Sequence, residues 1–241
     1  MEIGVPLDRY SYRARLLPAL ITFAPIALVC GVWSLHESAL WKSLIVLLAS
    51  LGFGMFLGQL GRDRGKNRES ELFNSWGGKP TTRLLSHRLT RLNAATLGRY
   101  HAKLKTLLPG LQIPDSTEEM RGPSDALQTY DSCVLFLREK TRDSKAFPLV
   151  FAENVNYGFR RNLWAWKPFG IIAACLGVAG GALFLLLRSM TSGSDENLFA
   201  AATITVSFAL LVLWIIVIKP SWVRVPAEAY AERLIGSLDN L

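Results

Sequence analysis

From Phe169 to Leu187 the chain reads FGIIAACLGVAGGALFLLL, with no charged side chain from end to end. A helix needs about 20 apolar residues to cross the hydrocarbon of a bilayer. One Lys, Arg or Asp at its centre costs roughly 2.5 to 3.5 kcal/mol, against roughly 0.3 to 0.6 kcal/mol gained per Leu, Ile, Phe or Val. Three further runs have the same character: Leu16 to Trp33, Ser43 to Leu60 and Leu198 to Ile218. The sequence therefore predicts an all-α membrane protein with four transmembrane helices. Composition agrees, because the 241 residues are 50% hydrophobic and only 19% charged, below the about 25% of a soluble domain.

Basic residues set the expected orientation. Of the 27 Lys and Arg, three precede the first run, one lies between the first and second, nineteen fall from Arg62 to Lys167, one is Arg188 and three follow Ile218. Loops on the cytosolic side carry such an excess, so both termini and the region between the second and third spans are expected inside. Trp33, Trp41, Trp164, Trp166 and Trp222 fall at the span boundaries, as an aromatic belt does. Lys42 marks an interface, where its stem follows the helix and its ammonium reaches the headgroups. Arg9, Arg13 and Arg15 ahead of the first run are those of a signal segment, which is read as an uncleaved anchor. The expected parts are residues 1–60 (tail and first hairpin), 61–167 (a mainly helical cytosolic domain inserted between spans two and three) and 168–241 (second hairpin and cytosolic tail).

Within the insert, Arg62 to Arg68 reads as a basic juxtamembrane linker. Trp76-Gly77-Gly78-Lys79-Pro80-Thr81-Thr82 reads as a turn, with Thr81 or Thr82 capping a helix. From Arg83 to Leu108, apolar residues including Leu84, Leu85, Leu89, Leu92, Leu97, Tyr100 and Leu104 recur at helical spacing, which predicts one helix with a basic outer face. A loop from Pro109 to Pro123 follows. Ser124 then caps a helix to about Lys140, with Ala126, Leu127, Tyr130, Val134 and Leu137 inward, and another helix starts at Pro148 and runs through Asn162.

Motifs for chemistry are weak. Gly78-Lys79 lacks the GxxxxGK-Ser/Thr spacing and the preceding strand of a phosphate loop. His36 is expected outside, and His87 and His101, fourteen residues apart on one predicted helix, would lie about 21 Å apart, too far to share an ion. The cysteines Cys30, Cys133 and Cys175 form no CxxC or disulfide framework. No catalytic residue, cofactor or metal is expected. Nucleic acid is disfavoured because the charge follows membrane topology and lacks interleaved aromatics.

The most distinctive stretch runs from Glu153 to Trp164, in which Glu153, Asn156, Tyr157, Arg160 and Trp164 share a helical face. An interfacial helix explains it. The sharper expectation is a polar cluster, Glu153, Asn156, Tyr157, Arg160 and Arg161, that couples the cytosolic domain to the bundle. Two stripes of small residues, Ser50, Gly54, Gly58 and Ala173, Gly177, Gly181, predict close helix packing within a protomer or between protomers. The fourth run, with Trp214, is expected to face lipid.

On the residues Trp76, Gly77, Gly78, Pro80, Thr81 and Thr82, and on Glu153 with Tyr157 to Asn162, the chain resembles a widespread family of uncharacterised bacterial four-helix integral membrane proteins. The shared layout covers most of the chain and implies a bacterial inner (plasma) membrane, but no activity. The function expected is that of a non-enzymatic, oligomeric inner-membrane protein whose cytosolic domain senses or docks a protein partner. Membrane perturbation in defence or stress is one output. Two other classes stay open: a channel or transporter component, and a membrane-bound enzyme acting on a phosphate-bearing or lipid substrate through Arg83, Arg88, Arg91 and Arg99. Ionisable groups near the midplane, which ion-coupled transporters use, are missing from the four runs.

Overall fold

The computed structural model describes residues 10–34, 42, 51–188 and 190–241. Those residues are 83% helix, with no strand. A π-helical turn, Ser11–Leu16, leads into α1 (Leu17–Ser34). Then come α2 (Leu51–Asn67), α3 (Glu69–Trp76), α4 (Pro80–Leu85), α5 (Ala94–Leu107), α6 (Ser116–Arg121) and α7 (Pro123–Lys140). The chain ends with α8 (Pro148–Arg188), α9 (Ser194–Ile216), α10 (Pro220–Gly236) and a 3-10 turn. Among the described residues, three helices are long and apolar enough to cross a membrane: Ser11–Ser34, Pro148–Arg188 and Ser194–Ile216. Residues 43–50 of the second predicted span lie outside the described residues, and its remainder is the start of α2.

Two compact units form. The first comprises Met1–Glu69 and Gly158–Val223, the second Ser70–Tyr157 and Arg224–Leu241. In the first unit, α8 meets its neighbours through glycines. A methyl group on Gly177 would strike Pro25 of α1 at 2.8 Å and also Ser207 of α9; on Gly180 it would strike Val29 at 2.7 Å, and on Gly181 Ile204 at 2.8 Å. The stripe through Ala173 thus packs inside one chain. So does the other stripe: Gly54 lies against Leu16 and Gly58 against the backbone of Arg15, while Ser50 is outside the described residues. Val32, Phe184 and Ala200 form a small core, and Trp33 packs edge-on against Phe184. On α9, the run expected to face lipid, Trp214 is fully buried. Gly170, having no side chain, leaves room for its indole. Leu186, Leu198, Phe208 and Ile216 are instead the exposed apolar surface, of the kind a lipid-facing helix presents.

The expected linker at Arg62 to Arg68 is helical, because α2 runs on to Asn67. Gly61 and Gly65, one turn apart, face α8; a methyl group there would overlap the Trp166 ring and the Asn162 side chain respectively.

The second unit corrects the single helix expected over Arg83 to Leu108. The helix breaks between α4 and α5 because three side chains outbid the backbone ladder. Ser86 Oγ accepts the Leu89 amide, Thr90 Oγ1 donates to the Leu84 carbonyl and accepts the Leu92 amide, and Asn93 Oδ1 caps α5 on the Thr96 amide. The tryptophan-glycine-glycine segment is a helix stop rather than a capping turn. Gly77 and Gly78 hold φ of 75° and 120°, and their amides return to Asn74 O and Phe73 O, a Schellman arrangement that closes α3. Pro80 then opens α4, whose N-cap is Lys79; neither Thr81 nor Thr82 caps it, and the Thr82 hydroxyl goes to Asp131 of α7. Pro123 likewise takes the first position of α7, whose N-cap is Gly122 and not Ser124. The expected loop before it contains α6, started by a capping box between Asp115 and Glu118. Residues 224–241, expected as a tail, supply Ala231, Leu234, Ile235 and Leu238 to the same core as Leu85, Leu104, Tyr130 and Leu137.

Gly61→Ala and Gly65→Ala should each destabilise the full-length protein by about 1 to 3 kcal/mol through overpacking. Gly52→Ala on the same helix, where nothing lies within 4 Å of an added methyl, should not. Thermal unfolding in a mild detergent separates them, and equal midpoints for all three variants would contradict this packing.

Candidate functional site

A proline inside a helix leaves the carbonyl four residues earlier without its usual amide donor. Near a bilayer such a group needs another partner, since water is scarce. Pro18 stands four residues after Ala14, and the Ala14 carbonyl receives the Asn162 side-chain amide at 2.7 Å. Pro226 stands four residues after Trp222, and the Trp222 carbonyl receives Arg160 at 2.9 Å. Ile218 lies where the chain breaks before Pro220, and its carbonyl receives the Lys167 ammonium at 2.7 Å. The three donors all come from α8.

Around them the helix is packed and charged. Arg161 and Asn162 are 8% and 1% exposed, and Arg161 pairs with the equally buried Glu69 at 2.8 Å. Gly158 admits Tyr10 and Ala14, which an added methyl would meet at 3.0 and 3.1 Å. Arg160 stacks on Trp222 at 4.6 Å, Arg64 on Phe169 at 4.6 Å and Arg68 on Trp164 at 4.2 Å. The structure thus assigns Arg160 and Arg161 to holding backbone and a buried carboxylate. Glu153 belongs to the second unit and bonds Asn156 at 3.3 Å; Tyr157 is buried there. Asn162 and Lys167 were outside the expected cluster. Their signal is visible only once the prolines and α8 are in one structure.

The second unit holds a separate polar centre. Glu119, 2% exposed, accepts the Ser86 hydroxyl, the His87 amide at 2.7 Å and the Tyr130 hydroxyl at 3.0 Å. Burial pushes its carboxyl up, but these bonds together outweigh burial and hold it below the usual carboxylate range. Because the helix breaks at Ser86, His87 and His101 are not 21 Å apart: their rings meet edge-on at 4.8 Å. His101 lies on the Leu85 carbonyl at 2.8 Å, and burial lowers its pKa despite that bond. The groups bearing on it are His87, Lys105 and Glu119. His87 Nε2 is buried without a hydrogen-bond partner.

Catalysis finds little here. Burial pushes the Cys133 thiol up to about 11, the reverse of an activated nucleophile. Ser86 spends its hydroxyl on Glu119 and the turn. Among the described residues no group of three or more His, Cys, Asp or Glu is placed to hold a metal. Lys79 pairs with Asp131. Of the basic residues on the expected substrate face, Arg83 donates to the Trp76 carbonyl and Arg91 pairs with Glu228 at 3.0 Å, while Arg99 pairs with Asp239 at 2.9 Å.

The lowered values of His101 and Glu119 carry a sign. An unfolded chain takes up the histidine proton near pH 6.5 and the glutamate proton near pH 4.3, before the folded one does. Stability is therefore full above about pH 7, falls as pH drops below about 6.5, and falls again through the carboxylate range. Thermal unfolding of the full-length protein from about pH 7.5 to about pH 4 should show both losses, and His101→Gln should remove the first. A midpoint that stays level down to about pH 5 would contradict the buried neutral imidazole.

No family model, curated protein or solved structure matches this chain.

Proposed function

We propose that this chain is a non-enzymatic transducer of the bacterial inner membrane. Its second unit is a cytosolic docking or sensing domain, and its first unit is a four-span bundle that responds. The observation that carries the reading is α8, one unbroken helix of 41 residues. Its first turns place Val150 in the core of the second unit, and its later residues form a membrane-length apolar stretch. The helix α10 is shared in the same way, with Trp222 in the first unit and Leu234 in the second. That two helices each contribute residues to both units is what supports the reading.

The fourth span, the cytosolic placement of both termini and the assembly of several copies belong to this proposal. The run from Ser43 to Leu60 and the charge distribution support the first two. The resemblance of the Trp76 to Thr82 and Glu153 to Asn162 segments to a bacterial family supports the compartment. The docking partner is a cytosolic protein.

Hydrogen exchange on the full-length protein in lipid nanodiscs tests the transducer. Arg160→Ala frees the Trp222 carbonyl in the first unit, and should speed exchange along α10 from Ala227 to Ile235, in the second, by about tenfold. Faster exchange confined to residues 218–223 would reduce the first unit to an anchor. Saturable, solute-specific uptake by proteoliposomes would replace the reading with transport.

A further inference from the structure

We infer that Lys167, Lys219 and Arg160 form a binding site for the phosphate of an anionic phospholipid at the break between α9 and α10, with an acyl chain along α9. Lys167 reaches from α8 to the Ile218 carbonyl at 2.7 Å. Its ammonium therefore lies beside the next residue, Lys219, near enough for the two charges to act on one another. Arg160 precedes Lys167 by seven residues on α8, a separation that returns a side chain to the same helical face. Its guanidinium is stacked on the Trp222 ring at 4.6 Å and donates to the Trp222 carbonyl at 2.9 Å. Trp222 in turn begins the first turn of α10, where its amide bonds the Lys219 carbonyl at 3.0 Å. Cations from two helices thus gather about one short stretch of chain, residues 218–222.

Among the described residues no carboxylate pairs with any of the three, whereas Arg161 on the same helix meets Glu69. The first turn of α10 holds no acidic residue, so the positive end of its peptide dipole adds to the field. An ammonium has three N–H donors. Lys167 gives one to Ile218, and Lys219 gives none within the described residues. Two like charges held side by side repel; a phosphate between them removes the repulsion and supplies the acceptors that their remaining N–H groups want.

Lipid is favoured over free phosphate by what adjoins the site. Lys219 directly follows Ile215, Ile216 and Val217, which are 53%, 59% and 42% exposed. Phe208 and Val212 continue that exposed apolar surface at helical spacing farther back along α9. A headgroup at Lys219 therefore has an apolar lane beside it, and Trp222 is the aromatic residue expected at headgroup depth.

The inference rests on the membrane placement of α8 and α9 but not on the transducer reading. The test uses the full-length protein in detergent with phosphatidylglycerol or phosphatidylcholine added, counting lipid retained per chain by native mass spectrometry. The wild type should retain phosphatidylglycerol in preference. Lys219→Gln removes an exposed cation that makes no side-chain hydrogen bond among the described residues, and should weaken that retention about fivefold. Lys167→Gln keeps an amide donor for the Ile218 carbonyl, and the double variant should lose an order of magnitude or more. Lys145 is an exposed residue of the second unit; Lys145→Gln makes the same change in net charge and should retain lipid as the wild type does. Unfolding midpoints identify any loss that comes from misfolding, and Lys219→Gln alone then carries the comparison. Equal retention of the two lipids, wild-type retention by Lys219→Gln, an equal loss in Lys145→Gln, or displacement of the lipid by inorganic phosphate at matching concentration would overturn the site. Flotation with phosphatidylcholine vesicles reports the membrane placement by itself, so its failure is distinguishable from failure of the site.

Discussion

Two carbonyls robbed of their donors by proline, those of Ala14 and Trp222, are paired in this protein by side chains of helix α8. Asn162 answers Pro18 by bonding Ala14, Arg160 answers Pro226 by bonding Trp222, and Lys167 answers the break before Pro220 by bonding Ile218. Each bond ties α8 to a different turn of chain, so the prolines convert local defects into tertiary links. Neutral hydrogen bonds of this sort contribute about 1 kcal/mol and charged ones about 1.5 to 3 kcal/mol, while leaving the acceptor buried and unpaired costs about 1 to 3 kcal/mol. The Arg161–Glu69 pair sits among these links. Its value lies in what its breaking would cost, about 3 to 5 kcal/mol for a lone buried charge, rather than in net attraction.

Glycines set how near the helices come. Gly158 admits Tyr10 and Ala14, Gly65 admits Asn162, and Gly61 admits Trp166, so side chains that make or flank the polar links fill the space a Cβ would take. The second unit has its own version of the same logic. The turn from Ser86 to Asn93 leaves helix geometry, and its groups are gathered by a single buried carboxylate, Glu119, together with Ser86, Thr90 and Asn93 acting locally. That arrangement buries His101, whose pKa burial lowers, which makes acid its natural stress.

The three apolar helices were legible because charge-free runs of that length have few other uses, and most of the second unit's core could be read from helical spacing. Periodicity failed at Leu89 and Leu92, which continue the apolar pattern through a turn made by Ser86 and Thr90; spacing alone cannot register hydroxyls that compete with the ladder. The same error separated His87 from His101. Residues 224–241 were taken for a tail; Arg224, Glu228, Glu232 and Arg233 are interleaved with the stripe of Ala231, Leu234 and Ile235 and obscure its helical spacing. The fourth run was read as lipid-facing as a whole, and an apolar helix does not announce which of its side chains is covered; Gly170, forty-four residues away in sequence, leaves the room that Trp214 fills. In the segment from Glu153 to Asn162, Arg160 and Arg161 were singled out from the sequence, but their partners are the Trp222 carbonyl and Glu69, far along the chain, which a local motif cannot reveal.

The most direct test of this account is a double-mutant cycle between Asn162 and Pro18, read as unfolding free energy of the full-length protein in mixed micelles. Asn162→Leu should destabilise the parent by about 2 kcal/mol, because the Ala14 carbonyl is left buried without a donor. In a Pro18→Ala background the new amide can take that carbonyl, and the same substitution should cost markedly less. Equal losses in both backgrounds, meaning strict additivity, would contradict the claim that α8 is built to satisfy what the prolines leave open.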